Sequence, residues 1–451
     1  VSRIDINKIM PSATFHFPTG FFWGTSTSAY QVEGNNSNTN WNQWEAITGK
    51  IFENQKSGKA CDWWAGRWKE DMDRANATHQ NAHRLSIEWS RIQPEINRWD
   101  ESSLDHYREI LQGLRDRDLS PIITLHHFTE PMWLSEIGGW ENDEIISFFD
   151  HYVAKVVEGL KEYCNYWIPI NEPNVLAHQA YIEANFPPGK RSLKSAFKAL
   201  SNMVKAHICA YSTIHRIQPL SRVGTAINYR AFWPENHLNP LDQWMTKFLQ
   251  KQYNDSYLNA LRDGKFNFAF KKEKISRVSN NFDFLGLNYY SGDEVKFNLF
   301  KPKDLFHQRT FPKLSEISEN GFIANIPSGL ENAIHWATKY NRPIIITENG
   351  IEDSKDQLRP QYIIEHIHKI WRAANLSVPI KGYFHWTLAD NFEWERGWSQ
   401  RFGLWKLDVV DQTRIKTKSA DLYSQICKTN SLSSEIINRF CPQIYSKIFP
   451  E

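Results

Sequence analysis

Short runs of β-favouring apolar residues alternate along the chain with longer segments whose apolar positions recur at helical spacing. The short runs fall at 21–25, 84–89, 121–126, 166–170, 222–227, 282–287, 343–347 and 380–386. Between them, 144–160 places Ile145, Phe149, Val153, Val156 and Leu160 on one helical face, and 362–374 behaves similarly. Eight strands, each with a crossover long enough for a helix, predict an α/β fold: a single-domain (β/α)8 TIM barrel spanning 1–451. A doubly wound open sheet is the alternative. It would normally carry a Gly-rich phosphate turn after an early strand, and no G-x-G-x-x-G or Walker sequence is present. No Gly/Ser-rich or Pro-rich linker and no solenoid period divides the chain. At the C-terminus, Ile436, Ile437, Phe440 and Ile444 predict that 430–451 is an extension docked on the barrel rather than a free tail.

A barrel puts its chemistry at the C-terminal ends of its strands. Two runs end in the same way: Ile168-Pro169-Ile170-Asn171-Glu172-Pro173 and Ile344-Ile345-Ile346-Thr347-Glu348-Asn349-Gly350. Each is a buried-strand pattern stopping on a Glu beside an Asn, followed at once by Pro or Gly. Taken alone, Asn349-Gly350 could be a hairpin turn, but no second alternating strand follows it. Two strand-end carboxylates from distant parts of the chain suggest a glycosidase acid/nucleophile pair. Other strand ends are polar or aromatic too. Gln31 and Glu33 follow the first, His126-His127 the third, Asn228 the fifth and Asn288-Tyr289-Tyr290 the sixth, and Trp386 closes the eighth.

Composition adds one positive clue and several exclusions. Nineteen Trp is a high share beside 17 Tyr and 27 Phe, and most of these rings are expected in the core. Sugars present apolar C–H faces that stack on indole, so a carbohydrate site would use some of them. Net charge is +2 with Lys and Arg scattered, which argues against nucleic acid as a partner. Five widely spaced cysteines without a Cys-x-x-Cys pair read as free thiols in a reducing compartment. No run is long enough to span a bilayer, and residues 1–14 lack the apolar core of a signal peptide, so the default location is cytoplasmic. Oligomeric state is left open.

The motifs, taken together, closely resemble those of the family 1 glycoside hydrolases. They are Gln31-Val32-Glu33-Gly34, His83-Arg84-Leu85-Ser86-Ile87-Glu88-Trp89-Ser90-Arg91, Thr124-Leu125-His126-His127-Phe128 and Asn171-Glu172-Pro173. Further along come Gly286-Leu287-Asn288-Tyr289-Tyr290, Thr347-Glu348-Asn349-Gly350, Trp386-Thr387-Leu388-Ala389-Asp390-Asn391-Phe392-Glu393-Trp394 and Arg401-Phe402-Gly403. They occur in family order from about Phe15 to Ile426. The resemblance implies a (β/α)8 barrel and retaining hydrolysis of β-linked glycosides, with no cofactor and no metal. It further implies that Glu348 is the nucleophile and Glu172 the general acid/base. Arg84 and Tyr290 would sit beside the nucleophile, where a cation favours the carboxylate form. Gln31, His127, Asn171, Glu393 and Trp394 would meet the sugar hydroxyls, Trp386 would stack beneath the ring, Phe402 would form an apolar wall, and Asn288 would brace its neighbours. His126-His127 lack an H-E-x-x-H or Cys partner, so no metal is assigned to them. Trp89 and Arg91 read as structural.

Two further points concern substrate. Members acting on 6-phosphorylated sugars resemble each other in replacing the Glu-Trp pair, which stands intact here as Glu393-Trp394. The implied substrate is therefore an unphosphorylated β-D-glucoside, with β-galactosides and β-fucosides as side activities. One departure is the family's leaving-group Trp, whose position falls on Phe322 or Ile323. The leaving-group subsite is accordingly expected to be looser than usual. A silent carbohydrate-binding barrel would lack one of the two Glu, and this chain keeps both. Transglycosylation through the same intermediate stays open.

Overall fold

The computed structural model describes residues 13–275 and 280–449. Most of the N-terminal segment read above for a signal peptide, and the last two residues of the C-terminal extension, lie outside the described residues. Eight strands form the centre: β1 Phe22–Ser26, β2 Ala82–Ser86, β3 Ser120–His126, β4 Tyr166–Ile170, β5 Arg222–Pro234, β6 Phe284–Phe297, β7 Ile344–Asn349 and β8 Ile380–His385. Neighbours pair in parallel in the order β6-β7-β8-β1-β2-β3-β4-β5, and β5 pairs with β6, so the sheet closes on itself. That closure is a (β/α)8 barrel and excludes the open doubly wound sheet.

Amphipathic helices form the outer layer. Ile145–Leu160 buries Ile145, Phe149, Val153, Val156 and Leu160, the face that helical spacing predicts. Arg359–Asn375, wider than the predicted 362–374, starts with Pro360 in its first turn, where a missing N–H costs nothing. The long helix Leu193–Ile217 begins at Ser192, whose hydroxyl accepts from the Ser195 amide at 3.2 Å.

Three boundaries differ from the sequence reading for physical reasons. The run predicted over 84–89 is strand only to Ser86. The Glu88 side chain accepts from the Ser90 amide and caps a short helix that starts at Trp89. Conversely, β5 and β6 run on to Pro234 and Phe297, because they keep pairing with each other beyond the barrel rim. The hairpin reading of Asn349-Gly350 is not realised, since β7 pairs in parallel on both sides.

At the C-terminus, Ser431–Ser433 pairs antiparallel with Thr14–His16. Helix Ser434–Phe440 follows and buries Ile436, Ile437 and Phe440, and Ile444 is buried beyond it. Phe449 stacks on Phe15, which also stacks on Trp371.

Candidate active site

Inside the barrel the strands change character from bottom to top. The lower layer is a hydrocarbon plug including Ala82, Ile122, Ala226, Ile345 and Phe384. Two residues further along each strand, on the same face, stand Arg84, Thr124, Asn228, Thr347 and Trp386. Of these, Asn228 and Trp386 reach a cavity of about 200 Å³ above the plug, whose lining also includes Glu172, Glu348, His127, Glu393 and Trp394.

Glu348, near the end of β7, is almost fully buried and ion-paired with Arg84, itself completely buried on β2. Its other oxygen accepts from the Tyr290 hydroxyl at 2.6 Å. Arg84 has no freedom to leave. Its remaining groups donate to Asn171 Oδ1 at 2.6 Å and Thr124 Oγ1 at 3.1 Å. Burial and the Glu348 charge push the Tyr290 phenol well above its ordinary range, so it stays a donor. The chain turns sharply after Glu348. A Cβ on Gly350 would lie 2.1 Å from the Trp386 carbonyl oxygen, so only glycine fits there.

Glu172 follows β4 in a left-handed conformation (φ 41°, ψ 56°) and precedes a short helix opened by Pro173. Its Oε1 accepts from Asn288 Nδ2 at 2.8 Å and from Asn228 Nδ2 at 2.9 Å. Burial first, and then the charge of Glu348, push its carboxyl up to about 8, against the lowering effect of both Asn donors. The cavity therefore holds an ion-paired carboxylate and a carboxyl that keeps its proton at neutral pH. That division of labour is what acid-assisted glycosidic cleavage requires.

Around this pair the structure gathers every residue singled out for the sugar. Asn171 Nδ2 lies 3.0 Å from His127 Nε2. Burial lowers the His127 imidazole well below its usual range, and among the described residues its Nδ1 has no partner. Gln31 donates to Glu393 Oε2 at 3.2 Å and to the Phe392 carbonyl at 2.9 Å, while Ser28 holds its oxygen. Glu393 is raised to about 8 by burial and by Glu395 and Glu348. Trp394 and Trp386 lie nearly parallel to the His127 ring, with centroids 6.0 and 6.1 Å away. Phe402 is buried against Tyr290 edge-on and also lines the cavity, so it serves core and site together. Phe322 and Ile323 both reach the cavity wall.

Some partners escape a motif reading. Asn228 is visible in the sequence only as a polar strand end, yet it bonds Glu172. Tyr253, whose hydroxyl donates to Asn228 at 3.1 Å, lies in an irregular helical turn with no sequence signal. Asn288 does more than brace, since it donates to Glu172 and accepts from Thr347 at 2.6 Å. His126 points away from the cavity and meets Trp140. No group of three or more His, Cys, Asp or Glu able to hold a metal occurs among the described residues, and none of their helices is long and apolar enough to cross a membrane.

The family model for Glycosyl hydrolase family 1 matches residues 13–432. β-Glucosidase A of Thermotoga maritima is 34% identical over 92% of this chain and 98% of its own length. A β-galactosidase of Sulfolobus acidocaldarius is 28% identical over 94% and 98%. Among solved structures, a β-glycosidase from Pyrococcus horikoshii superposes with a TM-score of 0.88 at 34% identity, covering 95% of this chain and 98% of that one. The carboxylate pair, the closed barrel and these likenesses agree: the chain belongs to glycosyl hydrolase family 1 and is a retaining β-glycosidase.

Proposed function

We propose that Glu348 is the nucleophile and Glu172 the general acid/base in hydrolysis of unphosphorylated β-D-glucosides. The carrying observation is the asymmetry of the two carboxyls in one cavity: Glu348 bonded to Arg84 and Tyr290, Glu172 raised to about 8. Glu348 attacks the anomeric carbon while Glu172 gives its proton to the departing oxygen. Forming the glycosyl ester removes the Glu348 charge and with it the second of the two effects, after burial, that hold the Glu172 carboxyl up, so its affinity for the proton falls. Glu172 then ionises and takes a proton from the water that releases the sugar. Asn171, held by Arg84, is suited to the 2-hydroxyl, whose hydrogen bond strengthens at the transition state. Gln31, His127, Glu393 and Trp394 take the remaining hydroxyls, with Trp386 beneath the ring.

The intact Glu393-Trp394 pair at the cavity wall, with no Lys or Arg among the described hydrogen-bond partners of Glu393, supports an unmodified sugar. β-Glucosidase and β-galactosidase names among the relatives support glucosides first and galactosides as a side activity; fucosides are the further side activity we infer. The free thiols of Cys61, Cys164, Cys427 and Cys441, all buried, fit a reducing compartment, the cytoplasm. A panel of aryl β-glycosides with product anomers followed by NMR tests the reading. Release of β-glucose first supports it; release of α-glucose, or no turnover of any β-glucoside, overturns it.

A further inference from the structure

A hairpin that walls one side of the catalytic cavity is held by a buried carboxyl that the mechanism does not use. Strands Glu316–Ile317 and Ala324–Asn325 pair antiparallel, and residues 318–323 form the loop between them. Glu319, Asn320 and Gly321 are exposed, Phe322 is half-buried, and Ile323 is buried against Trp386 and Phe402. The loop therefore runs from solvent into the cavity wall, where Phe322 and Ile323 both stand. With Trp386, Glu393 and Trp394 assigned to the sugar, Phe322 at the outer edge of the wall is left to the leaving group.

Ser318 organises this loop. Its hydroxyl oxygen accepts from the Ile323 amide at 3.0 Å and the Phe322 amide at 3.2 Å, and its one hydroxyl proton goes to Glu352 Oε1. The same Glu352 oxygen lies 3.3 Å from the Phe322 amide. Every hydrogen-bonding site of the hydroxyl is thus committed, and the two residues it fixes are the two on the wall. Glu352 itself is fully buried and follows Glu348 on the same segment. Its neighbour Asp353 anchors that segment: the Asp353 amide donates to the Arg401 carbonyl at 2.9 Å, and its Oδ2 accepts from the Leu358 and Arg359 amides at 2.7 and 2.9 Å. Glu352 Oε2 has no hydrogen-bond partner among the described residues. A buried carboxyl with one idle oxygen costs stability that a hydrocarbon would not, which points to a task for the other oxygen.

We propose that Glu352, acting through Ser318, is a positioning residue for the leaving group. It fixes the Phe322-Ile323 wall and so sets how firmly a second sugar is held, without touching the sugar that Glu348 attacks. This rests on the reading of Glu348 and Glu172 as the catalytic pair. One segment then carries both the nucleophile and the latch of the opposite wall, which keeps the two in register. The base of the hairpin has its own tie, from Asn325 Nδ2 to Glu365 Oε2 at 2.7 Å, so releasing the latch frees the loop and leaves the hairpin attached.

The test compares the wild type with Glu352→Ala, Ser318→Ala, the double variant and Glu352→Gln. Three readouts are taken: cellobiose hydrolysis, dinitrophenyl β-glucoside hydrolysis, and inhibition by deoxynojirimycin, which is no larger than one sugar ring. Each Ala variant should lower kcat/KM for cellobiose by about tenfold or more, mainly through KM. The dinitrophenyl substrate leaves so readily that release of the sugar from Glu348 is the slow step. Its kcat, and the inhibition constant, should stay within about twofold of wild type. The double variant should lose no more than the larger single loss, because both changes break one linkage. The Gln variant, whose amide oxygen can accept where Oε1 does, should recover cellobiose to within about threefold. Circular dichroism verifies folding, and Ser318→Ala, the smaller change, carries the test if Glu352→Ala does not fold. Equal losses on all three readouts make Glu352 a general support of the barrel and overturn the inference. Unchanged kcat/KM for cellobiose, fully additive losses in the double variant, or a folded Gln variant as impaired as the Ala variant also overturn it. If the wild type hydrolyses no β-glucoside, the catalytic reading falls and this one falls with it.

Discussion

Glu172 and Glu348 are the same residue type a few side chains apart, and their surroundings alone divide the work. Replacing Glu348 by Gln is nearly isosteric and keeps the Tyr290 contact, so folding should survive while turnover falls by more than about 10⁴-fold. Wild-type-like turnover in a contamination-controlled preparation would refute the assignment. Glu172→Ala should cost about 10²–10⁴-fold on poor leaving groups but far less on activated aryl glycosides. Azide should rescue the latter as the β-glycosyl azide. Equal losses on both substrates, without rescue, would assign Glu172 some other task. The pH profile carries the sign of its environment. A carboxyl raised to about 8 is protonated below that pH and loses its proton above it. The alkaline limb of kcat/KM should therefore lie near pH 8 in the wild type and vanish in Glu172→Ala with an aryl substrate. A limb at the same pH in the variant would place the titration on another group, such as Glu393.

At the scale of elements, the loop between Ser318 and Asn325 decides how a second sugar is met. Ile323 is 2% exposed and packed with Trp386 and Phe402, whereas Phe322 is half-buried, with the Arg396 guanidinium 4.9 Å above its ring. The two positions left open by the sequence are thus unequal. Phe322→Trp has room to extend a stacking face and should raise the cellobiose-to-aryl ratio of kcat/KM a fewfold. Ile323→Trp overpacks the wall and should cost about 1–3 kcal/mol of stability. An unchanged ratio in Phe322→Trp, with its stability intact, would show that another aromatic already fills the subsite. Strand ends such as Asn171-Glu172 and Glu348-Asn349 are legible in the sequence because an apolar run halts on a polar residue at the rim. The extensions of β5 and β6 are not, since their pairing beyond the rim depends on each other and not on local pattern. Tyr253 is equally hidden. Its role arises from an irregular turn that brings its hydroxyl to Asn228, and no periodicity marks such a turn.

Across the whole molecule, burial has been imposed on both acids and imidazoles, and the two act on stability in opposite directions. His83, His126, His366 and His385 are lowered to about 3, and His207 and His368 to about 4, all mainly by burial. Below their unfolded pKa of about 6.5 the unfolded chain binds protons that the native state refuses, so stability rises with pH up to that point. Glu33, Glu130 and Glu352 are raised to about 7, and Glu172 and Glu393 to about 8. These hold protons in the native state that the unfolded chain releases near 4.5, so they remove stability as pH rises from there to about 8. Between about 4.5 and 6.5 the two sets oppose each other; above 6.5 only the carboxyls still titrate. The melting temperature at constant ionic strength should therefore peak near pH 6.5 and fall toward pH 8. Glu130 offers a clean probe, being buried and outside the catalytic cavity, with burial the cause of its shift. In Glu130→Gln the decline from pH 6.5 to 8 should be shallower, because one proton fewer is released. A melting temperature that stays flat or climbs over that interval in the wild type would mean that water reaches these carboxyls in the native state.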